Sequence, residues 1–171
     1  MKLEDNTNTI IKAIKKVCNK SDDFQKTYLH EPNFVNSNSF KYLQECIESG
    51  WVSSSGEFVE KFEHKICSYT NAKYCIAVTN GTVALRLGLH LLGVSQNDEV
   101  FIPPMTFVAT ANAVSHLGAH PHFIDVDRKT LGICPIALNK RLEEISEFKN
   151  GKLFNKYTGR KISAIVPVHI F

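Results

Sequence analysis

Val78-Thr79-Asn80-Gly81-Thr82-Val83-Ala84-Leu85 is an apolar run that closes in a small polar turn and passes straight into a helix-forming stretch. A strand that feeds a helix through so short a turn is the repeating joint of α/β folds. The same rhythm continues downstream. Short apolar runs at Tyr74 to Val78, Val100 to Ile102, His122 to Val126 and Ile162 to Val168 alternate with helix-like stretches around Thr82 to Leu92, Val108 to Leu117 and Pro135 to Ile145. Runs without polar alternation suit strands buried on both faces, and helices between them imply parallel pairing through right-handed crossovers. The expected class is therefore α/β with a mostly parallel sheet. The polar stretch Glu147 to Lys161, with Asn150-Gly151 and Thr158-Gly159, reads as a surface excursion before the last strand.

Upstream of that core the texture is helical. Ile10, Ile11, Ile14 and Val17 recur at helical spacing opposite Lys12, Lys15 and Lys16, which predicts an amphipathic helix over residues 7 to 18. Ser21 to Phe34 reads as an extended arm leading to a helix from Ser39 to Glu48, which Gly50 stops. Val52-Ser53-Ser54-Ser55-Gly56 is a loop by composition. Val59, Phe62, Ile66 and Tyr69 then mark a helix that ends at Asn71.

Composition narrows the function classes. A chain of 171 residues with 43% apolar content can bury one substantial core. Its formal charge of +3 is mild and its basic residues are spread, so nothing calls for nucleic acid or a charged membrane. Five cysteines, an odd number without a close pair, do not form a complete disulfide set and suit a reducing compartment. No apolar run has the length of a signal peptide or a membrane span, so the expectation is a soluble, cytoplasmic chain.

Two junctions can carry chemistry. At Asn80-Gly81-Thr82, free N–H groups at a helix start, with the Thr82 hydroxyl, make a phosphate site. Gly81 lets an anion approach the backbone. The commoner reading of the same residues is an N-cap, Asn80 or Thr82, opening a core helix. At Pro103-Pro104-Met105-Thr106-Phe107, two prolines end a strand and place Phe107 beyond its carboxyl end, where open sheets bind ligands. Phe107 there either stacks on a flat ring or belongs to the core of the next helix. No G-x-G-x-x-G or Walker pattern is present. His116, His120 and His122 lack a partner at zinc spacing, and His169 near a strand end reads as a core or site-wall residue. Asp125 and Asp127 share a strand face and can in principle act as a carboxylate pair, though a solvated strand end is the commoner explanation.

Taken in order, these stretches resemble the DegT/DnrJ family of sugar aminotransferases, fold-type I enzymes that use pyridoxal phosphate. The resemblance runs from about Tyr28 to Phe171. It is carried by Gly50-Trp51-Val52-Ser53-Ser54-Ser55-Gly56 with Phe58 to Glu63, Asn80-Gly81-Thr82, Asp98-Glu99-Val100 and Pro104 through Ala113. Gly118-Ala119, Phe123-Ile124-Asp125-Val126-Asp127 with Thr130, and Ile165-Val166-Pro167-Val168-His169 complete it. It implies that Gly81 and Thr82 hold the cofactor phosphate and that Phe107 stacks on the pyridine ring. Ser53, Ser54, Ser55 and Gly56, together with His30 in the early extended segment, would contact the nucleotide-sugar. The implied reaction moves an amino group from an amino acid, glutamate in the family, to a nucleotide-linked keto-sugar in a homodimer. Leu29-His30-Glu31-Pro32 with Gly50 to Ser54 is most similar to the branch that aminates a UDP-linked 4-keto-6-deoxy-N-acetylhexosamine on the route to bacillosamine and legionaminic-type sugars. Val83 stands where many relatives carry a smaller or hydroxylated residue near the substrate.

The same resemblance divides the chain into a helix and linker over 1–27 and the first part of the aminotransferase large domain over 28–171, ahead of its later strands and small C-terminal domain. Fold-type I chemistry needs a Schiff-base lysine and a carboxylate on the pyridine nitrogen. Both are expected beyond Phe171, so no catalytic residue is assigned within this chain, Lys161 included, and the chain alone is expected to be inactive. The alternatives are a non-catalytic remnant of the same fold and a pyridoxal-phosphate-dependent sugar dehydratase with histidine in place of the lysine.

Overall fold

The structure is a computed structural model that describes residues 2–17, 34 and 36–170. Two compact units divide at Phe58 and Val59, inside one helix. The break expected between residues 27 and 28 lies outside the described residues.

The first unit holds α1 (Lys2–Val17) and α2 (Ser39–Ser49). The isoleucines of α1 and its lysines fall on opposite sides, as their spacing predicts. Gly50 closes α2 in the left-handed conformation (φ 75°), and its N–H donates to the Ile47 carbonyl. A side chain there would meet the steric penalty that glycine avoids.

The second unit runs from α3 (Glu57–Thr70) through α4 (Gly81–Leu91), β1 (Glu99–Ile102), α5 (Val108–Ser115), β2 (His120–Phe123), α6 (Pro135–Ile145), β3 (Ser146–Lys149) and β4 (Lys152–Asn155) to β5 (Ile162–Ile165). Strands β2, β1 and β5 lie side by side in that order, all parallel. The central strand β1 is buried along its whole length, and its side chains alternate between two layers. Val100 and Ile102 pack with Leu89 of α4 and Ala113 and Val114 of α5. Phe101 turns to the other face, against Ile124 and Ile145, with Leu138 and Leu142 of α6 beside them. Helices thus cover both faces, as the unbroken apolar runs require.

Two expectations are corrected. Tyr74 to Val78, with Tyr74 and Ile76 exposed and Cys75 and Ala77 half-buried, forms no strand and joins no ladder among the described residues. Its Ala77 N–H is satisfied instead by the Glu63 carboxylate of α3 at 2.7 Å. The segment from Glu147 to Lys161 is more than a surface excursion. Ser146–Lys149 and Lys152–Asn155 form a hairpin whose turn residues, Asn150 (φ 49°) and Gly151 (φ 76°), both take the left-handed conformation that a two-residue turn demands.

The hairpin and the loop after it are anchored to the amino end of β1 through Glu99, a carboxylate only 3% exposed. Its Oε2 accepts from Asn155 Nδ2 at 2.9 Å and faces His122 Nδ1 at 3.0 Å, while Oε1 accepts from the Thr158 hydroxyl at 2.6 Å. His122 Nε2 accepts from Arg141 Nε at 3.1 Å, so Nδ1 is the ring nitrogen that donates to Glu99. Next to it, Asp98 accepts from the Ser95 N–H, the Ser163 hydroxyl and Lys161 Nζ, the last at 2.8 Å. Ser163 is the extra residue of a bulge, because Glu99 pairs with Ile162 and Val100 with Ala164.

Burial raises both carboxyls, but donated hydrogen bonds outweigh it and hold both below the usual carboxylate range. For Asp98 these come from Lys161, Ser163 and Ser95, and for Glu99 from Asn155, Thr158 and His122. A depressed carboxyl contributes stability that is fully present above its unfolded value, near pH 4, and is lost as pH falls through the folded value. The denaturant midpoint should therefore stay level from pH 7 to about 5 and fall below about 4. Replacing the Glu99 carboxylate with an amide, Glu99→Gln, should cost about 3 kcal/mol at pH 7, because buried donors lose their charged acceptor. An unchanged urea midpoint for that variant would show that the network contributes nothing to holding the hairpin.

Candidate functional site

At the carboxyl ends of the strands, three junctions of the second unit meet around one cavity. The first is the start of α4. Asn80 is extended (φ −165°, ψ 170°), its Oδ1 accepts from the Val83 N–H at 3.0 Å, and its carbonyl accepts from the Ala84 N–H at 3.1 Å. Asn80 is thus the cap, as one of the two sequence readings has it. That cap leaves the Gly81 and Thr82 N–H groups and the Thr82 hydroxyl without a protein partner among the described residues. A Cβ built on Gly81 meets no atom within 4 Å, so the space before these donors is open. Capping and anion binding are compatible here, because the cap uses donors further along the helix.

The second junction follows β1. Pro103 is buried, Pro104 turns out, and Phe107 stands before α5 with φ −68° and ψ 141°. Its ring is 79% exposed, so it is not a core residue of α5, whose buried positions are Thr110, Ala113 and Val114. The third junction is the end of β5, where Ile165, Val166 and Pro167 run past the sheet. Together the three enclose a cavity of about 860 Å³. Asn80, Gly81 and Thr82 form its polar end, Phe107 and Thr110 flank it, and Leu85, Leu89 and Leu92 carry an apolar wall along α4.

No ionisable side chain lines the cavity among the described residues. The arrangement can hold an anionic, flat-ringed molecule through backbone donors, a hydroxyl and an aromatic face, and it offers no acid or base of its own. Lys161 lies at the amino end of β5, bonded to Asp98 and, at 3.3 Å, to the Gly93 carbonyl.

Other candidates fall elsewhere. Ser53, Ser54 and Ser55 belong to the first unit, exposed, with hydroxyls that bond to nothing else among the described residues. Gly56 (φ 139°) lies under Trp51, whose Cβ is 3.1 Å from where a Cβ on Gly56 would stand. His30 lies outside the described residues. Val83 lines a separate groove with Arg86, Leu87 and His90 instead of the cavity. Asp125 and Asp127 each accept from backbone N–H groups of the residues that follow them. Asp127 accepts from the N–H groups of Lys129 and Thr130, which hold its carboxyl below the usual range, and Asp125 accepts from the N–H of Val126. No group of three or more potential metal ligands occurs among the described residues, and His122 is engaged with Glu99. Thr106 and Thr110, whose hydroxyls meet at 2.7 Å, were not singled out from the sequence, although their i, i+4 spacing across a helix start was a signal.

The geometry is that of an aminotransferase large domain. A DegT/DnrJ/EryC1/StrS aminotransferase from Brucella abortus superposes with a TM-score of 0.62 at 29% identity, over 75% of this chain and 32% of that one. The NtdA protein of Bacillus subtilis, solved with bound cofactor PMP, superposes with a TM-score of 0.59 at 26% identity, over 85% of this chain and 32% of that one. Residues 34–171 match the DegT/DnrJ/EryC1/StrS aminotransferase family, and the chain belongs to it. Among curated relatives, GDP-perosamine synthase of Vibrio cholerae is 34% identical over 143 residues, 84% of this chain and 34% of that protein. The chain thus spans about a third of the length of the relatives it matches. No helix among the described residues is long and apolar enough to cross a membrane.

The loop geometry carries its own test. Because Gly56 has positive φ and abuts Trp51, Gly56→Ala should displace the indole and shift the emission of Trp51, the one tryptophan in the chain. The expected cost is about 1 kcal/mol in local stability, and an emission spectrum identical to the parent's would refute the contact.

Proposed function

We propose that this chain supplies the cofactor-phosphate and ring-stacking half of a pyridoxal-phosphate-dependent sugar aminotransferase. The observation that carries the reading is the meeting of the free Gly81 and Thr82 donors with the exposed Phe107 ring on one cavity. Gly81 and Thr82 would take the phosphate through two N–H groups, the Thr82 hydroxyl and the positive end of α4. Phe107 would cover one face of the pyridine ring. When bound, pyridoxal phosphate supplies the electron sink through which an amino group passes between donor and acceptor. This chain's residues bind and orient; the Schiff-base lysine and the carboxylate for the ring nitrogen belong, in this reading, to sequence beyond Phe171. Residues 1–27 then precede the family region as a helix and linker.

The acceptor in this reading is a nucleotide-linked keto-sugar and the donor an amino acid, glutamate by family analogy. Ser53, Ser54, Ser55, Gly56 and His30 would face the sugar nucleotide. The finer assignment, a UDP-linked 4-keto-6-deoxy-N-acetylhexosamine, rests on Leu29-His30-Glu31-Pro32 with Gly50 to Ser54. The name of the Vibrio relative points to GDP instead. The complete enzyme is read as a cytoplasmic homodimer.

Three measurements test this. Titrating the chain with pyridoxal phosphate should show binding that Thr82→Val weakens by about 1.5–3 kcal/mol, the range for a hydrogen bond to a charged group. Phe107→Ala should cost about 0.5–1.5 kcal/mol more, the usual worth of an aromatic pair. Borohydride reduction of the loaded chain followed by peptide mapping should find no lysine labelled in stoichiometric amount; one such lysine, with transamination by this chain alone, would overturn the assignment. Quenching of Trp51 by UDP-linked against GDP-linked sugars decides the nucleotide, and stronger quenching by GDP-sugars would reject the UDP assignment.

A further inference from the structure

Phe107 is more exposed than its neighbours in the turn, at 79% against 42% for Met105 and 60% for Val108. An aromatic with so little packing is aimed by its backbone, so whatever fixes that backbone fixes the ring. Phe107 also occupies the cap position of α5, and its side chain cannot accept the hydrogen bond that a cap normally supplies.

Two bonds close over it. The Phe107 carbonyl accepts from the Thr110 N–H at 3.0 Å, and the hydroxyls of Thr106 and Thr110 bond to each other at 2.7 Å, spanning Phe107 from one side to the other. Thr110 is 5% exposed and sits in the first turn of α5 beside Ala113 and Val114, so one end of the clamp is anchored in the core. Thr106, half-buried, is the residue immediately before the ring. A helical threonine ordinarily turns its hydroxyl back to the carbonyl four residues earlier; Thr110 instead meets the hydroxyl of that residue. The link therefore serves the entry to the helix.

We propose that Thr106 and Thr110 are positioning residues whose hydroxyl pair sets the Phe107 ring at the cavity wall, so that a flat heteroaromatic ring meets a preorganised face. This deepens the cofactor reading given above and rests on it for the identity of the ring. The clamp touches the ring arm of the site only. The phosphate arm at Gly81 and Thr82 stands on a different helix.

The test uses the 171-residue chain with pyridoxal phosphate and, separately, inorganic phosphate as probes. Thr110→Val keeps the shape and removes the hydroxyl. It should weaken pyridoxal phosphate roughly three- to tenfold, as expected for one hydrogen bond, while inorganic phosphate binds as before. Thr110→Ser should restore affinity, and Thr106→Val should match Thr110→Val. Equal weakening of both probes together with a lowered melting temperature would mean that the hydroxyl pair merely stabilises α5, and overturns the proposal. So would unaltered pyridoxal phosphate affinity.

Ring resonances of Phe107 in NMR spectra are read without any ligand. Thr110→Val should move them toward their unfolded-chain positions and raise amide exchange at the start of α5, and unchanged resonances would refute the clamp whatever binds. If the parent chain binds neither probe while the ring still responds to Thr110→Val, the cofactor reading fails and the clamp stands.

Discussion

Glu99 is the interaction on which the rest of the second unit depends. It begins the central strand, is shut away from water, and is charged, so its position is set by the groups that must donate to it. Those groups come from four places: His122 on β2, Asn155 at the end of the hairpin, Thr158 in the loop beyond, and, through His122, Arg141 on α6. Satisfying one carboxylate therefore fixes where a neighbouring strand, a covering helix and the connection between α6 and β5, residues 146–161, lie. The register of β5 follows, since the Glu99 N–H donates to the Lys161 carbonyl at 2.7 Å.

With the amino ends of the strands pinned by Asp98 and Glu99, the carboxyl ends are left with few charges. The division is electrostatic. Asp98 and Glu99 gather their donors at the amino end of β1, whereas the cavity at the carboxyl ends is lined by the start of α4, uncharged donors and an aromatic ring. An anionic ligand at the carboxyl ends meets no carboxylate in the cavity wall. Polar termini of helices and loops at that edge of a parallel sheet are where such folds place ligands.

Much of this is legible in the sequence. Gly50, Asn71 and Pro135 mark helix ends and starts by backbone preference alone, and α2, α3 and α6 fall within two residues of those marks. The parallel sheet was legible because β1 is apolar enough to be buried on both faces. Tyr74 to Val78 was misread because an apolar run reports burial and extension but not the presence of a neighbouring strand. The hairpin was missed for the opposite reason. Ser146-Glu147-Phe148-Lys149 looks polar, and only the Asn150-Gly151 turn at its centre carried the signal. The Glu99 network could not be read at all, because its members are up to 59 residues apart and nothing local pairs them. The phosphate-like turn and the exposed Phe107 were visible as candidates, while the threonine pair behind the ring needed the side chains to be seen.

The shape of the cavity sets a limit on what the assigned residues can do. Its wall follows α4 from Gly81 to Leu92, about 16 Å of helix, whereas the free donors occupy only its first turn. A phosphate-bearing ring held there would have its charge satisfied and one face covered by Phe107. The remainder of the wall, Leu85, Leu89 and Leu92, is apolar and makes no directional contact. In the proposed reading, recognition by this chain would reside in the phosphate, where hydrogen bonds to a charged group are worth more than contacts to a ring edge. Stacking adds a smaller increment that depends on the ring being presented at a fixed angle. In that reading the anion arm combines two backbone N–H groups with one hydroxyl, that of Thr82, whereas the ring arm rests on the contacts through Thr106 and Thr110.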